Sequence, residues 1–97
     1  MITMFLRINE AEYLSDYKIR FSFNDGKIGI ADLRDSLNGP VFEPIRDLNV
    51  FSKFILREEF GTIVWPNGAD LAPEFLYFQA FKTDPALRQK FLDWGYL

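Results

Sequence analysis

The sequence predicts an α+β domain, in which a small antiparallel sheet of four to five strands is followed by helices toward the C-terminus. Three observations predict this class. Residues 17–33 alternate between apolar and polar side chains on both sides of a turn, and residues 54–65 form a second β-rich stretch around a glycine. Pro73 and Pro85 each open an apolar segment of helical character. Strands therefore come first and helices last.

The first hairpin is predicted from YKIRFSFNDGKIGIADL, residues 17–33. Ile19, Phe21 and Phe23 alternate with polar residues, which is the pattern of a half-buried strand. The Asn-Asp-Gly sequence at residues 24–26 supplies a turn, and the alternation resumes after it. Weaker alternation upstream favours an additional N-terminal strand.

A second hairpin is predicted after an irregular segment that is interrupted by glycine and proline. Asp47 in this segment has the position of an N-cap for a short helix that continues through Phe54. Residues 54–65 then return to strand character, with a turn near residues 59–61. These two strands, the first hairpin and the N-terminal strand make up the predicted sheet.

Two helices are predicted near the C-terminus. The first spans Pro73 to Phe81 and has proline at its first position, where the missing N–H costs nothing. The second covers about residues 83–94, with Thr83 or Asp84 as the cap. At 97 residues, the chain is expected to be a single domain, 1–97.

The composition excludes several classes of function. The chain has no histidine and no cysteine, which excludes Ser-His-Asp and Cys-His catalysis, zinc sites with nitrogen and sulfur ligands, and disulfides. Its glycines do not form a phosphate-binding loop. We therefore expect no enzymatic activity, no cofactor and no metal.

The charge balance predicts the environment and the partners. The chain has 14 acidic and 11 basic residues, a net charge of −3, and its basic residues are scattered. Nucleic-acid binding usually needs clustered cations that replace phosphate counterions, so we expect no direct contact with nucleic acid. The apolar run before Arg7 is too short for a signal peptide or a membrane span. These features predict a cytoplasmic protein without membrane contact.

The stretch GTIVWPNGADLAPEFLY, residues 61–77, has two interpretations. In the first, it is a structural junction in which a turn ends a strand and acidic residues support the start of a helix. In the second, a small ligand or a metal ion binds to carboxylates around Trp65, Asp70 and Glu74. The junction interpretation is favoured, and it covers seven residues: Trp65, Pro66, Asn67, Gly68, Asp70, Pro73 and Glu74.

The C-terminal aromatic residues also have two interpretations. The helix at 73–81 is apolar nearly all round, which is typical either of a helix between two layers or of an exposed interface. If it is an interface, it binds a protein partner or a second copy of the chain through the C-terminal helices. The candidate partner-binding residues are Phe75, Phe78, Phe81, Trp94 and Tyr96.

Three motifs in the chain resemble the small bacterial family catalogued as domain of unknown function 2442. They are F-x-D-G at residues 23–26, G-x-V-F-x-P-L-x-D at 39–47 with a following Phe51, and I-x-W-P-N-G-x-D-L-x-P-E-x-L-Y at 63–77. In the second motif Ile45 stands where Leu is commoner, which is a conservative change. The resemblance covers about residues 12–77, and the helical segment at about 83–94 extends beyond it. It implies an α+β domain without known enzymatic activity, and it supplies no catalytic residue.

The resemblance also implies two kinds of context. Some members of the family continue into a helix-turn-helix DNA-binding domain, for which residues 78–97 are too short. Others are encoded beside a small protein in an arrangement that suggests a toxin and its antitoxin. We therefore expect a non-catalytic protein-interaction module, with the antitoxin-like half of such a pair as its specific form. The acidic surface would then steer a small basic protein partner.

Overall fold

The computed structural model describes residues 5–97. The expectation that the chain starts with too short an apolar run for a targeting segment concerns residues 1–6, and residues 1–4 lie outside the described residues. Across the described residues, every helix falls short of the length and hydrophobicity that a bilayer crossing requires.

Three antiparallel strands form the larger sheet, in the order β1 (Ile8–Ser15), β2 (Lys18–Phe23) and β3 (Ile28–Asp32). The predicted β-hairpin at residues 17–33 is confirmed as the β2–β3 pair. Gly26 occupies its turn with a φ of 89°, a left-handed conformation that favours glycine.

The second hairpin forms a separate sheet of two strands, β4 (Ile55–Arg57) and β5 (Thr62–Val64). The prediction of a single sheet with four to five strands is therefore wrong, although the hairpin itself lies where the sequence places it. A backbone hydrogen bond of 2.9 Å from Ile8 N to Gly61 O joins the two sheets. The register of β1 against β2 also shifts between Ile8 and Glu10, close to this contact.

Both predicted C-terminal helices are present. Pro73 begins the first one, as expected, and Asp84 caps the 3₁₀ turn that leads into the second by accepting a 2.9 Å hydrogen bond from Ala86 N. Asp47 likewise accepts from Asn49 N at 2.9 Å and caps a short helix in the middle of the chain. The helices are α1 (Leu48–Phe51), α2 (Pro73–Phe81) and α3 (Arg88–Trp94), and 3₁₀ turns cover Arg34–Ser36, Glu43–Arg46 and Pro85–Leu87.

Helix α2 lies between the larger sheet and α3. On the sheet side it approaches β3 so closely that a Cβ added to Gly29 would lie 2.6 Å from the ring of Phe81. On the other side, the rings of Phe78 and Phe91 are 5.0 Å apart, in an edge-to-face arrangement. This placement explains why α2 is apolar nearly all round.

Candidate functional site

The WPNG turn is fully engaged in the fold. Trp65 is only 2% exposed, and its indole N–H donates to Phe51 O at 2.9 Å. The Asn67 side chain donates to Val41 O at 2.9 Å and accepts from Ala69 N at 3.1 Å. The polar groups of this turn therefore hold neighbouring segments together.

The two carboxylates of the junction, Asp70 and Glu74, lie in different environments. Asp70 is exposed, and its backbone forms an isolated bridge with Val64. It does not cap α2, because the N-cap residue is Ala72, which makes no side-chain capping bond. Glu74 lies in the first turn of α2 and borders a cavity formed with α3. Among the described residues, no three His, Cys, Asp or Glu side chains are placed to hold a metal ion.

A cavity of about 280 Å³ lies where the turn of the β2–β3 hairpin meets helices α2 and α3. We call it the aromatic pocket. It is bordered by residues 5–6, by Asn24 and Asp25 of the turn, and by Glu74, Lys90 and Trp94 of the helices. Segments that are far apart in the sequence therefore meet here.

Tyr77 fixes the hairpin turn against α2. Its hydroxyl donates to Asp25 Oδ2 at 2.8 Å, while Asp25 Oδ1 accepts from Lys27 N at 2.9 Å. Burial, followed by the hydrogen bond to Asp25, raises the pKa of Tyr77 well above its ordinary value. The Tyr77 hydroxyl and Lys27 N together hold the Asp25 carboxylate in place, so Asp25 has a positioning role.

Lys90 and Trp94 form the outer part of the pocket. The Lys90 ammonium lies 5.5 Å from the centre of the Tyr77 ring and 5.7 Å from that of Trp94, within the range of cation–π attraction. The Trp94 side chain is 38% exposed. With Asp25 and Glu74, the pocket has two carboxylates and one ammonium, so its rim suits a ligand with a cationic and an apolar group.

The other aromatic candidates for partner binding are half-buried and join elements of the fold. Phe78 stacks on Tyr96 with ring centres 5.0 Å apart, and Phe75 meets Tyr96 at 6.1 Å. Phe81 covers Gly29. Trp94 is the most exposed of the five candidates, and it borders the pocket together with the junction residue Glu74.

Sequence reasoning missed Asp25, Tyr77 and Lys90 as members of one site. Asp25 lies in the family-like motif F-x-D-G, and Tyr77 lies in the family-like motif P-E-x-L-Y. Their positions in two such motifs could have indicated that the two residues belong to one site. Nothing in the sequence pattern distinguishes Lys90 from the other exposed lysines.

Comparisons with known proteins identify the family. The family described as protein of unknown function (DUF2442) matches residues 8–82, so the chain belongs to it. The crystal structure of putative DNA binding protein NE0471 from Nitrosomonas europaea ATCC 19718 has a TM-score of 0.70 and 24% sequence identity to this chain. The match covers 80% of this chain but only half of that protein. No curated protein matches the chain.

The structural neighbour requires a correction. Composition and charge led to the expectation that the chain makes no direct contact with nucleic acid. A protein that shares the fold carries the name putative DNA binding protein, which contradicts that expectation. The exclusion of nucleic acid is therefore withdrawn.

Proposed function

We propose that this member of the DUF2442 family is a non-catalytic protein-interaction module that binds a segment of its partner in the aromatic pocket. The observation that carries the proposal is the exposed indole of Trp94, set beside Glu74 and Lys90 at the rim of a cavity. Tryptophan is one of the three residue types that are enriched among the energetic hot spots of protein interfaces.

The charge of the pocket supports a partner segment with a cationic side chain. Glu74 is available at the rim, while Asp25 is occupied by Tyr77 and by Lys27 N. A lysine or arginine of the partner would replace the Lys90 ammonium over the two aromatic rings and approach Glu74. In its specific form, the module is the antitoxin-like half of a toxin–antitoxin pair, and the overall charge of −3 would steer association with a cationic toxin.

A binding role, rather than a catalytic one, fits how the polar groups of the pocket are used. Asp25 accepts a hydrogen bond on each of its oxygens, which leaves it poorly placed as a general base. Burial and the hydrogen bond to Asp25 raise the pKa of Tyr77 further above neutrality, which makes its phenolate still less accessible. The groups that remain at the rim are suited to attraction and packing.

The test is retention of a partner by the immobilised chain from nuclease-treated extract of the source cells, with two matched variants. Trp94→Ala removes the anchor, and Leu92→Ala is the control on the same helix, since Leu92 is 42% exposed. We expect one protein to be retained by the wild type and by Leu92→Ala, and at least tenfold less of it by Trp94→Ala. Equal retention by all three chains contradicts the proposal.

Fluorine NMR of the chain labelled with fluorotryptophan separates protein binding from DNA binding. Trp65 is buried and Trp94 is exposed, so the two indoles give separate reporters of the core and the pocket. Addition of the captured protein should move the Trp94 resonance and leave the Trp65 resonance in place. If random-sequence DNA duplex produces that shift and the protein does not, a nucleic-acid function replaces the proposed one.

The alternative of a ligand or carboxylate–metal site around Trp65, Asp70 and Glu74 has weaker support. The indole of Trp65 is buried and hydrogen-bonded inside the fold, and Glu74 borders the aromatic pocket. This alternative requires a rise in melting temperature on addition of Mg²⁺ or Ca²⁺.

A further inference from the structure

Asparagine or aspartate directly precedes glycine at three places in the chain. The pairs are Asp25-Gly26, Asn38-Gly39 and Asn67-Gly68. In such a pair, the backbone nitrogen of the glycine can attack the side-chain carbonyl carbon of the residue before it, because glycine has no side chain to obstruct the approach. The product is a succinimide ring. The hydrogen bonds around each glycine nitrogen and each side chain therefore decide which pair reacts in the folded protein.

The pair at the WPNG turn is held at both reacting groups. Gly68 N, the attacking atom, donates to Trp65 O at 2.9 Å. The side-chain amide of Asn67 donates to Val41 O at 2.9 Å and accepts from Ala69 N at 3.1 Å. Ring closure requires that the glycine N–H gives up its acceptor and that the amide leaves both of its partners. The fold therefore opposes the reaction here.

The pair in the β2–β3 turn is held in the same way. Gly26 N donates to Phe23 O at 3.0 Å. The carboxylate of Asp25 accepts from the Tyr77 hydroxyl at 2.8 Å and from Lys27 N at 2.9 Å. A carboxylate is in addition a poorer electrophile than an amide. This pair is therefore protected by its chemistry as well as by its hydrogen bonds.

The Asn38-Gly39 pair lacks these restraints. Both residues are exposed and lie in a loop between two 3₁₀ turns. In the described part of the chain, Gly39 N donates to no backbone or side-chain acceptor, although Gly39 O accepts from Phe42 N and Glu43 N. The side chain of Asn38 makes a single hydrogen bond among these residues, from its Nδ2 to Asp35 O at 2.9 Å. The attacking nitrogen and the carbonyl group that it would attack are thus both open.

We propose that Asn38 is a site of spontaneous covalent modification, at which the folded chain converts this asparagine to aspartate and isoaspartate. A bond forms between Gly39 N and Cγ of Asn38, and the Cγ–Nδ2 bond breaks. The side-chain nitrogen leaves as ammonia, with a proton that replaces the one lost by Gly39 N. Water then opens the ring at either of its two carbonyl groups, and one of these openings gives isoaspartate, whose backbone is longer by one methylene.

The conversion changes the loop in two ways. The new carboxylate adds one negative charge to a chain whose net charge is −3, and it has no N–H to donate to Asp35 O. The longer backbone of isoaspartate directly follows Leu37, which is fully buried. We therefore expect the modified chain to be less stable than the original. Asn38 does not border the aromatic pocket, so the proposal goes beyond the proposed function.

The chain supplies its own control, because Asn38 and Asn67 both precede glycine. The purified chain is incubated at mildly alkaline pH, once folded and once in concentrated guanidinium chloride, and is then digested with trypsin at mildly acidic pH. Cleavage after arginine and lysine places the two asparagines in separate peptides, residues 35–46 and 58–82. Mass spectrometry measures the conversion of amide to carboxyl in each peptide. Electron-transfer fragmentation distinguishes isoaspartate from aspartate.

In the folded chain, conversion at Asn38 should be at least tenfold faster than at Asn67. In denaturant the two rates should approach each other, because the hydrogen bonds that protect Asn67 and Gly68 are gone. Equal rates in the folded chain overturn the proposal. The same ratio of rates in both conditions also overturns it, because the selectivity would then come from the neighbouring sequence and not from the fold.

A matched variant connects the modification with stability. Asn38→Gln keeps an amide at this position, but its longer side chain would have to close a larger ring, which is much slower. After the same incubation, the wild type should have a lower melting temperature than before, and Asn38→Gln should keep its own. An equal loss in both chains contradicts the expected effect of the modification. All these measurements use the chain alone, so they do not depend on a partner for the aromatic pocket.

Discussion

The WPNG turn and the aromatic pocket use the same kinds of residue for different purposes. Each has a tryptophan, and each has an asparagine in a turn that contains glycine. At the WPNG turn, the indole is buried and its N–H is bonded to Phe51 O. At the pocket, the indole of Trp94 is exposed above a cavity.

The two regions differ in which polar groups and which apolar surfaces remain accessible to a partner. The side chain of Asn67 makes both of its hydrogen bonds within the fold, and so does that of Asn24 at the pocket, with Arg7 N and Phe5 O. At the pocket, however, Glu74 and the Trp94 face remain accessible. Residue type alone therefore does not separate a structural turn from a binding surface.

The largest effect that distinguishes the two regions is expected from the tryptophans. Trp65→Ala should lower the free energy of unfolding by about 3–5 kcal/mol, because it removes a buried indole and leaves a cavity. Trp94→Ala should lower it by about 2 kcal/mol, since more than a third of that side chain is already in water. Urea denaturation of the two variants measures both values, and similar losses would remove the distinction.

A smaller effect is expected from Tyr77→Phe, which removes the hydrogen bond to Asp25. We expect a loss of about 1 kcal/mol in the free energy of unfolding, because the exposed carboxylate of Asp25 regains water. Double-mutant analysis with Asp25→Ala should show coupling between the two sites. Additive effects would mean that the hydrogen bond contributes little to holding the turn.

The raised pKa of Tyr77 also predicts a pH dependence. Since the folded protein holds this proton more tightly than the unfolded chain, stability is complete below about pH 10 and falls as the pH rises further. The slope from one such group is at most about 1.4 kcal/mol per pH unit. Tyr77→Phe should lose that part of the slope. The part from Tyr96 should remain, since its pKa is raised by burial and by nearby Glu74.

The smallest effect on stability is expected from Glu74→Gln. Glu74 contributes mainly a favourable interaction with the start of α2, so the free energy of unfolding should change by less than about 1 kcal/mol. Partner retention, in contrast, should fall clearly. The control is Glu43→Gln, which changes an exposed carboxylate in a 3₁₀ turn outside the pocket. A stable variant with unchanged retention would exclude Glu74 from the binding surface.

Local patterns in the sequence predicted the elements, and their assembly depended on contacts that these patterns do not contain. The β2–β3 hairpin and the start of α2 follow from alternation, a turn sequence and one proline. The split into two sheets, which meet where Ile8 N donates to Gly61 O, depends on contacts between distant segments that no local pattern reveals. The pocket was missed for the same reason, because its turn and its helices are distant in the sequence.

The bond between Asp25 and Tyr77 spans 52 positions, and this separation has a consequence for the order of folding. The β2–β3 hairpin closes a loop of only a few residues and can form early. Docking of α2 closes a much longer loop, and its contacts must offset the larger entropic cost of that closure. During synthesis, Lys90 and Trp94 emerge from the ribosome after all the residues of the sheet. The pocket thus assembles after the sheet, and a nascent or truncated chain that retains its sheet would still be unable to bind through it.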